Sequence, residues 1–446
     1  MARLAFFILL LMASITSNSQ SFQLLRYNDD FSYLKDSSRN AYEKIKYAPL
    51  GNKAYLSVGG EIRFQFFRIA NEDWGDTQQP YNAYVLSRYL LHTDLHLNNH
   101  LRVYAQLQSA LAYDKQNVSP VDQNKLDLHQ AFIDYQTNTF LFRVGRQELS
   151  YGSQRLISVR EIPNNRQAFD AVKFVYVKHN IKLDLFYSHY VVAKADFFDD
   201  EFLNPDIKLW GAYAVLFNSL PLNVDVYYFG NYKAHVNYDD ATGKEQRHSI
   251  GTRWWKNGKN WRLDFEGVYQ LGNVGASNIR AWTLSMNNSY IFDQWKWKPE
   301  VGLKTEFISG NKKYGDGKTE TFNPLYPKGA YFGLAALIGP SNLIDIHPSL
   351  SFALSHNLAW VVDYDIFWRY SINDGIYAVN MTRIYDGNVS LDKYIGDQID
   401  TNIDWTPNRF VLLRAEVTWF QAAGYLRDAS AGKNIFFTGI TTQLKF

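Results

Sequence analysis

The feature that most constrains this chain is an alternation with a period of two, sustained over almost all of its 446 residues. Glu61-Ile62-Arg63-Phe64-Gln65-Phe66 places Glu61, Arg63 and Gln65 on one face and Ile62, Phe64 and Phe66 on the other. Leu101, Val103, Ala105 and Leu107 oppose Arg102, Tyr104, Gln106 and Gln108 in the same way. Trp261, Leu263, Phe265 and Tyr269 oppose Arg262, Asp264, Glu266 and Gln270, and Val411, Leu413, Ala415, Val417 and Trp419 oppose Leu412, Arg414, Glu416 and Thr418. Successive side chains of a strand point to opposite faces, so each segment reads as a strand with one apolar and one polar side. Many run about 10 to 13 residues, longer than the usual five or six of soluble sheets and right for a tilted strand that crosses a bilayer.

About 18 such strands can be placed, beginning near residues 54, 84, 101, 126, 139, 169, 181, 210, 223, 246, 260, 280, 296, 345, 358, 396, 409 and 435. Their connections alternate in length. Tight turns fall at Asn98-Asn99-His100, Lys178-His179-Asn180, Asn257-Gly258-Lys259, Asp293-Gln294, His356-Asn357 and Pro407-Asn408, with Asn-Gly the favoured two-residue hairpin chemistry. Between them lie longer polar segments, roughly 70–83, 114–125, 150–168, 192–209, 234–245, 309–344, 370–395 and 421–434. Short turns on one side and long loops on the other predict an all-β, antiparallel up-and-down transmembrane barrel with both chain ends periplasmic. No composition break or Pro/Ser-rich linker divides the chain into soluble domains.

The start of the chain agrees. Met1-Ala2-Arg3 is basic, Leu4 to Met12 is apolar, and small and polar residues lead to Gln20. That order predicts a cleaved signal peptide over 1–19, since the apolar run is too short to span a membrane. No cysteine follows to carry a lipid anchor, and the chain has none anywhere, which excludes disulfides and Cys-ligated metals. A formal net charge of +2 gives no reason to expect nucleic acid. The chain stops at Phe446, on one face with Leu444, Thr442 and Ile440. A terminal aromatic closing an alternating strand is the kind of signal read by the outer-membrane barrel assembly machinery, a transient partner.

Several segments resemble the alginate export family of outer-membrane porins. They are Tyr42-Glu43-Lys44-Ile45-Lys46-Tyr47-Ala48-Pro49-Leu50-Gly51, Tyr55-Leu56-Ser57-Val58-Gly59-Gly60-Glu61-Ile62-Arg63, and the stretch from Arg143 to Leu156 (RVGRQELSYGSQRL) continuing to Arg160-Glu161 and Phe169-Asp170. Thr321-Phe322-Asn323-Pro324-Leu325-Tyr326-Pro327 and Tyr394-Ile395-Gly396-Asp397-Gln398-Ile399-Asp400 also match, so the likeness covers nearly all of the mature chain. It implies an 18-stranded barrel in a Gram-negative outer membrane among lipopolysaccharide, a monomer, with a pore whose arginines pass anionic uronate chains. Members of the family are not all tied to alginate, so the resemblance specifies family better than substrate.

The polar faces carry Arg63, Arg88, Arg102, Arg143, Arg262, Lys304, Arg369 and Arg414 against Asp94, Asp134, Asp264, Glu266, Glu300, Glu306, Asp363, Asp365 and Glu416. Mixed charge of this kind can simply pair across strands and keep a lumen wet. A locally basic constriction is expected from Arg143, Arg146, Arg155, Arg160 and Arg166 against Glu148 and Glu161, with segment 150–168 folding inward so that its arginines meet Arg63, Arg88 and Arg102. The planar guanidinium fork suits a carboxylate, and weak repeated contacts allow passage. Residues 321–333, rich in Pro, Tyr, Phe and Gly, read as a rigid loop whose rings either stack on sugars or pack against the barrel. Residues 20–53, with a short helix around Asp36 to Tyr47, read as a periplasmic segment that plugs the mouth or tethers the barrel that starts at 54.

No catalytic constellation emerges, and no cofactor or metal is expected. There is no G-x-S-x-G; His92 and His96 lie about 13 Å apart on a strand, too far to share a metal. Asp199-Asp200-Glu201 with Asp206 would hold Ca²⁺ only if the run were more than a solvated loop. An outer-membrane phospholipase is the enzymatic alternative, weakened by histidines that face the lumen. The expected function is therefore a channel for an anionic oligo- or polysaccharide such as alginate. Its rivals are a general or differently selective porin and a non-conducting barrel that binds partners at the surface. The tryptophans are expected in two belts, with Trp254, Trp255, Trp261, Trp295, Trp297 and Trp405 on the periplasmic side and Trp282, Trp368 and Trp419 on the outer one.

Overall fold

The computed structural model describes residues 22–446 apart from 37, 219 and 220, so the expected signal peptide lies outside the described residues. Eighteen antiparallel strands close into a barrel: β1 Tyr55–Ala70, β2 Tyr81–His96, β3 Leu101–Tyr113, β4 Asn124–Gln136, β5 Phe140–Gln147, β6 Phe169–Lys178, β7 Ile181–Tyr190, β8 Ile207–Leu216, β9 Asn223–Asn237, β10 Thr242–Asn257, β11 Trp261–Val274, β12 Ser277–Ile291, β13 Glu300–Ile308, β14 Leu343–Ala353, β15 Leu358–Arg369, β16 Tyr394–Asn408, β17 Val411–Ala422 and β18 Ile435–Lys445. Each pairs with its chain neighbour, and β18 returns to β1 from Glu61↔Lys445 to Ala70↔Phe436, so no edge is left open. Two-residue pieces at Ala48–Pro49 and Lys318–Thr319 add to β1 and β12. Phe446 completes the seam, its backbone exchanging hydrogen bonds of 2.8 and 3.0 Å with Gly60.

The apolar side of each strand faces outward. Phe64, Phe66, Ile440 and Trp419 are exposed there, as a lipid-facing surface requires, while Arg63, Gln65 and Arg88 are buried within. Turns on the side of the chain ends are closed by short polar side chains. Asn98 Oδ1 accepts from the His100 and Leu101 amides, Thr137 Oγ1 from Thr139 and Phe140, and Asn408 Oδ1 from Phe410 and Val411. Such residues mimic a backbone turn, which is why the turns at Asn98 and Asn408 could be read from the sequence.

Three expectations change. The segment expected as a loop at 234–245 is mostly strand, since β9 runs to Asn237 and β10 starts at Thr242. There the outward positions are polar, so the apolar mark of a strand is missing although the ladder continues. The strand expected from 296 begins at Glu300, after a turn whose Trp297 and Lys298 take positive φ. Trp255 does not join a belt: its indole donates to Asp225 Oδ1 at 2.9 Å, under Arg253 on the inner face. Trp254, Trp261, Trp295, Trp297 and Trp405 are exposed around the termini side.

Candidate functional site: a lumen crossed by two loops

Alternate positions of β2–β6 project a ladder of opposite charges into the lumen. Arg102 Nε lies 2.6 Å from Asp94, Arg143 Nε lies 2.6 Å from Asp134, and Arg146 Nε lies 2.8 Å from Asp170. Arg102 is also 3.6 Å from Asp134, so the first two pairs form one continuous run. Arg102 and Asp134, Asp134 and Arg143, and Arg146 and Asp170 are direct cross-strand partners in register, the strongest arrangement for such pairs.

The connection between β5 and β6 (residues 148–168) folds inward from the ladder and crosses the lumen. At its start Tyr151 stacks on Phe186 and leans on Tyr213 and Phe229 of β7–β9. Its next residues reach the far wall, where Arg155 engages Glu266 of β11 at 3.1 Å and contacts Glu306 of β13, Ser285 and the Tyr331 hydroxyl. The chain then returns to β1 and β2. Arg63 donates to the carbonyls of Glu161 and Pro163 at 2.8 and 2.9 Å, and Arg88 pairs with Glu61 at 2.6 Å and Glu161 at 3.0 Å. Arg166 closes the loop on Glu148 at 2.7 Å and Glu161 at 2.9 Å. Against the cost of burial, Arg88 and then Arg166 hold the Glu161 carboxyl below the usual carboxylate range.

A second inward loop, between β13 and β14 (residues 309–342), meets the first. The Tyr326 amide donates to Leu156 O at 2.8 Å and its carbonyl accepts from Ser158 at 2.9 Å, a short parallel bridge inside the barrel. Gly329 sits where the loops touch, and a Cβ there would overlap the Pro163 ring. The rings of this loop are committed to packing. Tyr326 lies on Tyr190 and Phe169, and Phe332 on Phe367. Of the two expectations for 321–333, packing against the barrel is the one observed.

All eight arginines expected at the site face the interior. Arg88, Arg102, Arg143, Arg146, Arg155 and Arg166 are in ion pairs, and Arg63 is held by carbonyls alone. The inward arginines do not gather with Arg63, Arg88 and Arg102 as one basic cluster. It is Glu161 and the Pro163 carbonyl that meet Arg63 and Arg88, and Arg102 instead holds Asp94 and the Tyr27 carbonyl. Among the described residues no carboxylate lies within ion-pairing distance of Arg160, Lys233 or Lys328, which surround the loop crossing: Lys233 lies 5.7 Å from the Tyr326 ring and Lys328 5.3 Å from the Tyr331 ring. Sequence reasoning missed both lysines: Lys233 stands at the end of an expected strand, next to the segment expected as a loop, and Lys328 adjoins an aromatic run. It also missed how acidic β14–β17 are within, where Asp345 and Asp400 join Asp363, Asp365 and Glu416.

The segment before β1 also enters the lumen. Arg26 donates to Gly60 O and Phe446 O, each at 2.9 Å, across the barrel seam. The Tyr27 hydroxyl donates to Glu148 O at 3.0 Å, its carbonyl accepts from Arg102, and its ring lies 4.0 Å from the Arg143 guanidinium. A capping box between Asn40 and Glu43 starts helix α1 (Ala41–Lys46), shorter than the span expected from sequence. At its end the fully buried Lys46 donates to Val58 O at 2.8 Å, among the rings of Phe31, Tyr42 and Phe22. Burial, and then Arg26, lowers its pKa from 10.5 to about 7, while Asp29 and Asp94 pull the other way. A base whose docked pKa lies below its free value gives up a proton on docking. Docking therefore tightens as pH rises from about 7 toward 10.5 and is weakest below 7. A nitroxide on Ser32→Cys, unique in a cysteine-free chain, is expected to be more mobile at pH 6 than at pH 9, and Lys46→Met is expected to abolish that difference.

The loop acids expected to gather around Asp199-Asp200-Glu201 regroup. Asp199 and Asp200 approach Asp127 of β4, whereas Glu201 pairs with Lys194 at 2.8 Å and Asp206 stands apart. Burial pushes the Asp200 carboxyl up to about 6 against the pull of the Lys194 amide. His92 and His96 both face the lumen, His92 stacked on Tyr104 and His96 3.3 Å from Asp94.

A closed 18-stranded barrel with an apolar exterior, a charged interior and inward loops defines the class of outer-membrane β-barrel porins. The alginate export family matches residues 54–434, and the chain belongs to that family. Among solved structures it is similar to a BenF-like porin from Pseudomonas fluorescens, with a TM-score of 0.59 and 9% identity over 88% of this chain and 98% of that one. It is also similar to Pseudomonas aeruginosa OccK2 (OpdF) in complex with glucuronate, with a TM-score of 0.56 and 10% identity over 87% of this chain and 98% of that one. Pseudomonas aeruginosa OpdK with vanillate gives a TM-score of 0.57 and 8% identity over the same shares. At these identities the likeness is one of fold. No curated protein sequence matches the chain.

Proposed function

We propose that the chain forms an outer-membrane channel for an anionic oligo- or polysaccharide of the uronate type. The constriction lies where loops 148–168 and 309–342 cross, and the segment from 22 to β1 plugs the periplasmic mouth. The observation that carries this reading is the set of cations at the crossing without a carboxylate partner: Arg160, Lys233 and Lys328. Charges already paired across the wall hold the scaffold, whereas these three are available to a passing carboxylate. A guanidinium fork binds a carboxylate in two places, and a few weak sites favour entry without trapping. Family membership and the glucuronate named with OccK2 support the choice of a uronate. A passive pore has no built-in direction, so the solute gradient sets export or uptake.

The test is the reversal potential of single channels in planar bilayers under a salt gradient. Arg160→Glu with Lys328→Glu is expected to cut the anion-to-cation permeability ratio several-fold, and an unchanged ratio would overturn the reading. The acidic strip of Asp345, Asp363, Asp365, Asp400 and Glu416 favours a second reading, a general porin of mixed lumen charge. That reading predicts a ratio near one in the unaltered channel.

A further inference from the structure

Three side chains on adjacent strands of the lumen wall converge on a point that, among the described residues, no hydrogen-bond donor occupies. Asp345 and His347 lie two apart on β14 and therefore share its inner face, and Asp365 of β15 stands across from them. One ligand atom from each falls within 4.8 Å of the others. Asp345 and Asp365 are buried, at 0% and 1% exposure, so their polar atoms have no bulk water to turn to. Neither carboxylate oxygen of Asp345 has a hydrogen-bond partner, nor has Asp365 Oδ1, nor His347 Nδ1. His347 Nδ1 and Asp365 Oδ1 are in contact without hydrogen-bond geometry.

The groups around this point orient the donors. His347 Nε2 lies 3.1 Å from Asp363 Oδ1; with the ring proton on Nε2, the Nδ1 lone pair is left for a metal ion. Asp365 Oδ2 accepts from the Gln398 amide at 3.2 Å, which fixes the carboxylate with Oδ1 turned inward. Lys304 is shared between Asp345 and other groups, with its closer ion pair to Glu306. Lys304 Nζ is 3.2 Å from Glu306 and 3.8 Å from Asp345, and it lies over the rings of Tyr331 and Phe332. Buried carboxylate oxygens without a hydrogen-bond donor carry a desolvation cost that a cation between them offsets.

We propose that Asp345, His347 and Asp365 form a binding site for a divalent transition-metal ion of the Zn²⁺ type. Two carboxylates and one imidazole are a donor set for such an ion, and the carboxylate behind the histidine is the usual support of a metal-binding ring. Three protein donors leave a fourth tetrahedral position open for water or a solute carboxylate. The bound ion would offset the charge of its two ligating carboxylates and make the acidic strip on β14–β17 less negative. The site does not depend on what the channel carries.

The test uses the full chain, refolded in detergent and freed of metal by chelation, titrated with ZnCl₂ by calorimetry. The unaltered protein is expected to take up one equivalent, with an X-ray absorption spectrum of one nitrogen ring among oxygens. Asp345→Asn and His347→Gln, whose folding is checked by heat-dependent migration on gels, are each expected to bind at least about tenfold more weakly. Asp199→Asn, in the separate loop cluster, is expected to bind as the unaltered protein does. No uptake by the unaltered protein would overturn the proposal and leave a protonated His347 bridging Asp363 and Asp365. Equal affinity in Asp345→Asn and His347→Gln, or an absorption spectrum without nitrogen, would overturn it as well.

Discussion

Excision of the first inward loop, joining Leu149 to Ala168 through a short Gly-Ser turn, is expected to raise single-channel conductance several-fold and to abolish anion preference. The barrel itself should survive, because its backbone ladder runs from strand to strand without the loop, and β5 and β6 remain paired from Phe140↔Tyr176 to Gln147↔Phe169. The groups that grip the loop would be uncovered instead: Arg63 and Arg88 on one side, Glu266 and Glu306 on the other. All face the lumen, where water can take the loop's place. The second loop would also lose its parallel bridge at Tyr326, so the opening should exceed the volume of the deleted residues. Conductance of the deletion, compared with the unaltered channel in the same bilayer, reads the effect. An unchanged conductance would place the constriction elsewhere.

The second large effect is expected from Arg155→Glu. Arg155 reaches Glu266, Glu306 and the Tyr331 hydroxyl together, and it is the loop's hold on the far wall. Replacing it with a carboxylate puts a third negative group among two others. Breaking a buried pair in this way costs about 3–5 kcal/mol, since the charges left behind lose their partner away from bulk water. The loop should detach from β11 and β13 while the anchors at Glu161 and Asn164 still hold its return limb to β1–β3. Trypsin cleavage between 150 and 168 should become fast in folded barrels, and open-channel noise should rise. Adding Glu306→Arg should restore part of the protection, a rescue that general destabilisation would not give.

How much of this was legible in the sequence differs between elements. The strands were readable because lipid outside and water inside impose opposite demands on alternate residues, so Phe64 and Phe66 against Arg63 and Gln65 leave little choice. The rule lapsed at 234–245, where the strand pair leaves the bilayer and polar His235 and Asn237 no longer signal an outer face. It lapsed again at Trp255, a belt residue by type that turns inward to Asp225. The inward course of 150–168 could be suspected from its length. What it touches could not, because Arg155 and Glu306 are 151 positions apart and their meeting depends on strand order and shear. For the same reason the approach of Asp345 and His347 to Asp365 could not be read from the sequence, since only the register of β14 on β15 sets them side by side.

The central claim is passage of an acidic saccharide through a basic crossing of loops, and blockade of single channels tests it most directly. Mannuronate or guluronate oligomers added to one side should interrupt the current reversibly, more often as their concentration rises, while neutral oligosaccharides of equal length should not. The Arg160→Glu, Lys328→Glu channel should lose most of these events. Equal blockade by neutral and acidic oligomers, or none by either, would contradict the account.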